Sequence, residues 1–304
     1  MRSLCGLMFA IAVLGSCGCT RTNAKQDAPV EAPYVPPAHA AVDPALGRVE
    51  GVGYRGFDRN EYPGDDVMAE MRKTFAFTGY WLTVPPGAMV NQWKGKRDIL
   101  KPQGWGFLVL ANGRFEKQIL KAQKSGTAPD ALGRSDAAAA IEAAKLDGFP
   151  AHTIIFLDQE EGGRLTGPQT AYLLAWTEAV AASDFRPGVY ASGQLTPDDP
   201  GTVIDTIRDI RERVKQGHLH DVAMFDANDQ CPPAPGCSLT AKPLSAAGEP
   251  NVIAWQYSQS PRRPEITKSC GKTYAADGNC YAPGFPQVFL DMDVAASADP
   301  SAGR

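Results

Sequence analysis

Thr153-Ile154-Ile155-Phe156-Leu157 runs directly into Asp158-Gln159-Glu160-Glu161-Gly162. A short run of β-branched and large apolar residues without polar alternation reads as a fully buried strand. Asp158 and Glu160 are two residues apart, so on a strand they point to the same side. Glu161 has the opposite parity and is expected to face solvent. Two carboxylates at the end of a buried strand cost free energy unless they are used or paired. The stretch therefore constrains fold and chemistry together.

Other strands are spaced around it, and helical periodicity lies between most of them. Gly56-Phe57-Asp58 ends a first strand. Tyr62-Pro63-Gly64-Asp65 is a turn, and Val67, Met68, Met71 and Phe75 follow at helical spacing. Phe77 to Thr83 is a second strand, Trp93 to Leu100 a short helix, and Gly104 to Leu110 a third strand. Ser135 is placed to cap a helix over Asp136 to Leu146. The opening stretch is the fourth strand. A helix starts at Thr166 or Gly167, and Arg186 to Ala191 is the fifth strand. A helix covers Thr202 to Lys215. Val222 to Asp226, Val252 to Tyr257 and Val288 to Val294 complete the strands.

This alternation predicts an α/β fold, a TIM-like barrel over 49–296. It is irregular, with five βα units followed by three strands joined by loops, because no helical pattern follows strands six and seven. A doubly wound open sheet is the competing architecture, but no Gly-rich nucleotide turn supports it.

Barrel function sits at strand ends, and acids fall there: Asp58, Asp158 with Glu160, Asp226, and Asp291 with Asp293 on one face of strand eight. Tyr80 beside Trp81, Tyr190, and Trp255, Gln256 and Tyr257 join them. Carboxyls ringed by aromatic walls suit a carbohydrate, and glycosidic cleavage needs one protonated and one ionised carboxyl. Crowded acids raise one another's proton affinity. The expected catalytic group is thus Glu160, Asp158, Asp58 and Asp291. The expected substrate-binding group is Tyr80, Tyr190, Trp255, Gln256, Tyr257, Asp226 and Asp293. Trp93, Trp105 and Trp176 read as core. A GxSxG elbow and a P-loop are missing from the sequence, and neither metal nor organic cofactor is expected. The net charge of −4 leaves no basic footprint for nucleic acid.

The N-terminus reads as an export signal over 1–19, with Arg2 ahead of an apolar run from Leu4 to Leu14 that is too short to span a bilayer. Leu14-Gly15-Ser16-Cys17 resembles a lipobox, which makes Cys17 the candidate lipidation site; a plain secretory signal is the other reading. Membrane contact is expected through that lipid only. Residues 20–48, rich in Ala and Pro, read as a disordered linker, and 297–304 as a disordered tail. Export permits disulfides. Cys231, Cys237, Cys270 and Cys280 allow three connectivities, of which 231–237 with 270–280 is the simplest by proximity. Zinc lacks the CxxC or HxxxH spacing it would need.

Gly56-Phe57-Asp58, Asp158-x-Glu160, Arg186-Pro187-Gly188-Val189-Tyr190, Trp255-Gln256-Tyr257 and Asp291-Met292-Asp293 resemble the strand-end signatures of glycoside hydrolase family 25 lysozymes. The Gly-Phe-Asp opening and Tyr-Pro-Gly turn are closer to a related secreted group, the glycoside-hydrolase-like domain of unknown function 1906. The resemblance implies five βα units followed by three strands. It also implies Glu160 as general acid, Asp158 as charge stabiliser or substrate-orienting group, and Asp58 and Asp291 completing an acidic floor. Asp293 stands where the lysozymes often have Asn. The expected activity is muramidase-like hydrolysis of an envelope polysaccharide such as peptidoglycan by an exported, lipid-anchored protein. A non-catalytic glycan-binding lipoprotein on the same barrel is the alternative.

Overall fold

The computed structural model describes residues 46–229, 236–240, 242–262 and 274–304. Eight strands close a barrel: β1 (Gly53–Asp58), β2 (Phe77–Trp81), β3 (Gly106–Asn112), β4 (Ile154–Asp158), β5 (Arg186–Ser192), β6 (Ala223–Ala227), β7 (Ala254–Ser258) and β8 (Phe285–Ala295). Neighbours from β1 to β7 pair in parallel. β8 runs the other way, antiparallel to both β7 and β1. The barrel interior alternates large and small residues. A Cβ at Gly56 would lie 2.1 Å from the Phe77 ring, and one at Gly188 would lie 2.5 Å from Phe156. Glycine at these two positions leaves room for the facing rings.

Six helices lie among the described residues: α1 (Asp65–Met71), α2 (Arg97–Leu100), α3 (Glu116–Lys124), α4 (Pro129–Leu146), α5 (Gly167–Ala181) and α6 (Thr206–Gly217). All fall between β1 and β6, so the expected five βα units followed by three strands is the observed order. After β6 the only helical element among the described residues is a 3-10 turn, Leu244–Ala246. α5 starts where expected, with Thr166 and Gln169 exchanging cap hydrogen bonds. α6 starts later than expected, at Thr206, because Asp205 accepts from Arg208 N at 2.9 Å. Ser135 does not cap a helix but lies inside α4, which begins at Pro129 in the first turn. The cause is a face of small residues, Gly133, Ala137, Ala140 and Ala144, all buried. A Cβ at Gly133 would meet Tyr172 O at 2.2 Å, so α4 and α5 approach backbone to backbone. α3 has no counterpart in the sequence reading.

Two expectations are overturned. The last residues do not form a disordered tail. β3 and β4 pair only from Val109 and Ile155 onward, and the C-terminal segment occupies the gap beneath. Ser301 N donates to Phe107 O at 2.9 Å, Ile154 N to Ser301 O at 2.8 Å and Val109 N to Ser301 Oγ at 2.9 Å. Gly106 is required here, because a Cβ would sit 1.8 Å from Ala298 O. The short polar segment is ordered by backbone groups that would otherwise be buried without partners.

Cysteine pairing by sequence proximity is also wrong. Cys237 is bonded to Cys280, 43 residues away. An edge strand, Cys280–Ala282, pairs antiparallel with β8 and carries Cys280 to within 5.2 Å (Cα–Cα) of the segment that follows β6. Cys231 and Cys270 lie outside the described residues.

Deleting residues 299–304 should cost more than about 3 kcal/mol, roughly 1 kcal/mol for each of the three Ser301 hydrogen bonds with those to Asp299, Ala302 and Gly303 lost besides, read as a lower denaturation midpoint. Non-reducing peptide mapping should recover a Cys237–Cys280 pair and no 231–237 species.

Candidate active site at the barrel mouth

Antiparallel β8 decides which acids meet. Its register sets Asp291 opposite Asp58 and Asp293 opposite Gly56. Asp291 is therefore level with the upper end of β1, and Asp293 is one pleat deeper. A cavity of about 250 Å³ opens above them. Its acids are Asp58, Asp158, Glu160 and Asp291, and its apolar wall includes Trp81, Tyr190 and Phe225. Asn60, Gln256, Gln259 and Ser260 supply amides and a hydroxyl, and among the described residues no Lys, Arg or His lines it. Asp158 is buried at the end of β4, whereas Glu160, just past the strand, is partly exposed. Gly79 on β2 leaves space for the Asp58 side chain, since a Cβ there would stand 2.5 Å from the Asp58 Cβ.

A hydrogen-bonded chain runs along the wall. Gln259 Nε2 donates to Tyr190 OH at 3.0 Å, and Tyr190 OH donates to Gln256 Oε1 at 2.8 Å. Gln256 Nε2 donates to Asp58 Oδ2 at 2.8 Å and reaches Asp291 Oδ2 at 3.3 Å. Ser260 N donates to Asp291 Oδ1 at 2.5 Å.

Burial pushes the Asp58 carboxyl up to about 7, the charge of Glu160 adds to this, and the Gln256 amide works against it. Burial, then the neighbouring Asp58, holds Asp291 well above the ordinary carboxyl range. Asp293 is raised in the same way by burial, Asp58 and Asp291. Neither Asp293 oxygen meets an N–H or hydroxyl donor. Its partner is the Asp58 carboxyl, and that contact is a hydrogen bond only while one of the two keeps a proton. Burial, followed by the charges of Glu160 and Asp158, raises the Tyr190 hydroxyl far above its ordinary value, so it stays a donor.

Six of the eleven expected site residues line the cavity: Glu160, Asp158, Asp58, Asp291, Tyr190 and Gln256. Asp293 lies beneath the floor. Four face the helices or loops instead. Tyr80 donates to Asp147 Oδ2 at 2.7 Å and stacks edge-on with Phe107 and Phe149. Trp255 Nε1 donates to Asn228 O at 3.0 Å, and Tyr257 OH to Ser238 O at 2.8 Å. Asp226 is buried on the outer side of β6, near Asp205, Glu249 and Arg211. The cause is the two-residue period of a strand. Gln256 points inward, so Trp255 and Tyr257 cannot, and the inward neighbours of Tyr80 and Asp226 are Trp81 and Phe225. That parity was readable, and it would have found Phe225. Asn60, Gln259, Ser260 and Pro261 come from loops and carried no sequence signal. Glu161 turns away from the site as expected but is not a solvent residue, because its Oε2 accepts from Glu116 N at 2.6 Å and Gln169 Nε2 at 2.7 Å. It ties the start of α3 to α5. Among the described residues, no three His, Cys, Asp or Glu side chains are grouped to hold a metal ion.

Asp226 is pushed up to about 8, first by burial and then by the charges of Glu249 and Asp205. Its folded value is raised, as is that of Asp58. Each contributes stability that is fully present below the unfolded carboxyl value of about 4 and lost as pH rises through the folded value. The thermal midpoint should therefore fall between about pH 4 and about pH 8. Asp226→Asn should make that fall shallower throughout while leaving the cavity unchanged. A pH–midpoint curve superimposable on the unsubstituted protein would exclude Asp226 as a source.

Comparison with known proteins agrees with this architecture. A family model described as Rv2525c-like, glycoside hydrolase-like domain matches residues 93–234. The match is just under half the chain and includes Asp158, Glu160 and Tyr190, but not Asp58, Gln256 or Asp291. The crystal structure of an uncharacterized B. stearothermophilus protein superposes with a TM-score of 0.50 at 18% identity, covering 80% of this chain and 96% of that one. The Mycobacterium tuberculosis Tat-secreted protein Rv2525c, in complex with L-tartrate, superposes with a TM-score of 0.47 at 14% identity, covering 79% and 94%. No curated protein matches the sequence. Over residues 93–234 the chain resembles the Rv2525c-like, glycoside hydrolase-like domain, and that is the family to which its sequence points.

Proposed function

We propose that the protein is an exported glycoside hydrolase acting on a cell-envelope polysaccharide, with peptidoglycan the first substrate to test. The observation that carries this reading is the convergence of Asp58, Asp158, Glu160 and Asp291 on one cavity. Hydrolysis of a glycosidic bond needs a proton for the leaving oxygen and a negative group to meet the developing oxocarbenium charge. Glu160, past the strand end and partly exposed, is placed to deliver the proton. Asp158, buried on β4, is the stabilising or orienting carboxylate. Asp58 and Asp291 form the floor beneath the sugar, and Trp81, Tyr190 and Phe225 offer ring faces to it. A cavity of about 250 Å³ lies just below the usual range for small-molecule sites, about 300–1,000 Å³, and suits a single sugar ring.

Export follows from the apolar N-terminal segment, and lipid attachment at Cys17 would hold the barrel at a membrane surface through the Ala- and Pro-rich linker. Glu160→Gln should lower hydrolysis of a responsive envelope glycan by about 10²–10⁴-fold, with glycan binding retained. If the unsubstituted protein and Glu160→Gln are equally inactive across a panel of envelope glycans, the hydrolase reading fails. Glycan binding that survives loss of both Glu160 and Asp158 would then identify a non-catalytic binder.

A further inference from the structure

Gln256 lines the cavity, yet its amide has no donor left for a ligand. A glutamine offers two N–H donors and one carbonyl oxygen. The oxygen accepts from Tyr190 at 2.8 Å, and Nε2 is directed at Asp58 (2.8 Å) and Asp291 (3.3 Å). Gln259 donates to the Tyr190 oxygen at 3.0 Å, which leaves the phenol proton to point at Gln256. A flipped amide would set its oxygen against two carboxyls and require both to stay protonated. The chain therefore has one polarity, from Gln259 at the rim to the acids on the floor.

The two acids do not receive it equally. Asp58 has the shorter amide contact and the Asp293 carboxyl beneath it, which donates only while it keeps its proton. Asp291 has the longer amide contact and the Ser260 N–H. Among the described residues, the charged groups facing Asp58 are Glu160, Asp291 and Asp293, and those facing Asp291 are Asp58, Glu160 and Asp229. All are acids, so the donors decide where a single negative charge rests.

We propose that Gln256, oriented by Tyr190 and Gln259, is a positioning residue that directs the negative charge of the floor to Asp58 and leaves the proton on Asp291. Its catalytic consequence rests on the glycoside-hydrolase reading. A fixed charge on Asp58 then faces Glu160, the group that must deliver a proton, and separates the acid and base roles. The charge placement itself does not depend on that reading.

The test is a carboxyl-carbon NMR titration of aspartate-labelled protein from about pH 5 to about pH 9. In the unsubstituted protein Asp58 should ionise before Asp291. Gln256→Met removes the donors and should move Asp58 up by about one to two pH units, closing its gap to Asp291. Tyr190→Phe should move it the same way by less, and this milder variant decides the matter if Gln256→Met does not fold. A purely structural glutamine would lower the thermal midpoint and leave both titrations in place. The proposal is overturned if Asp291 ionises first in the unsubstituted protein, or if Asp58 titrates unchanged in the folded variants. If the titrations move but no glycan is hydrolysed, the positioning role stands and the hydrolase reading fails. If a glycan is hydrolysed but the titrations do not move, the hydrolase reading stands and the positioning role fails.

Discussion

The antiparallel pairing of β8 with β1 is the contact on which the rest of the structure depends. A parallel eighth strand would need a crossover from β7 long enough to return to the lower end of the barrel. By reversing direction, β8 closes the sheet and leaves no open edge between β7 and β1. The same register lays Asp291 beside Asp58. Closure of the barrel and assembly of the acidic floor are thus one event. Because the pleat has a period of two, Asp293 must follow Asp291 into the interior, which brings a third carboxyl under the other two.

Three buried acids in contact are costly as charges and tolerable as a proton-sharing group. The surroundings are arranged accordingly. Gly79 leaves room for Asp58, the Gln256 amide lies between Asp58 and Asp291, and Ser260 N holds the outer oxygen of Asp291. The disulfide is joined to this arrangement through the backbone. Cys280 N donates to Ser260 Oγ at 2.8 Å, so the brace between Cys237 and Cys280 lies two hydrogen bonds from a cavity carboxyl. Among the described residues the segments after β6 and β7 hold one 3-10 turn and no α-helix, and a disulfide with an edge strand braces them.

Much of the fold was legible because each barrel strand is a short apolar run bounded by turn residues, and the intervening helices carry one apolar stripe. The acids that reach the cavity were legible for the same reason: Asp58 and Asp158 end such runs, Glu160 lies two beyond Asp158, and Asp291 interrupts the last one. The aromatic wall was misread at Tyr80, Trp255 and Tyr257 because a strand sends adjacent residues to opposite faces, and a choice of whole triplets ignores that. Asp226 failed on the same parity. α3 went unseen because its single buried residue, Ile119, makes no stripe. The C-terminal segment went unseen because its order comes from unpaired backbone groups on β3 and β4, which composition does not register.

By itself the sequence determined the kind of molecule: a βα barrel that relaxes into loops after the fifth unit, with acids gathered at strand ends. Those features are local, written in periodicity and in the abrupt change from apolar to acidic at Leu157–Asp158. Only the tertiary structure decided which carboxyls meet, which rings face them, and which cysteines bond. Those outcomes depend on the direction of β8, on registers between strands far apart in the chain, and on the absolute face each residue takes. A shift of one residue in any strand leaves the local pattern almost unchanged and inverts what reaches the cavity.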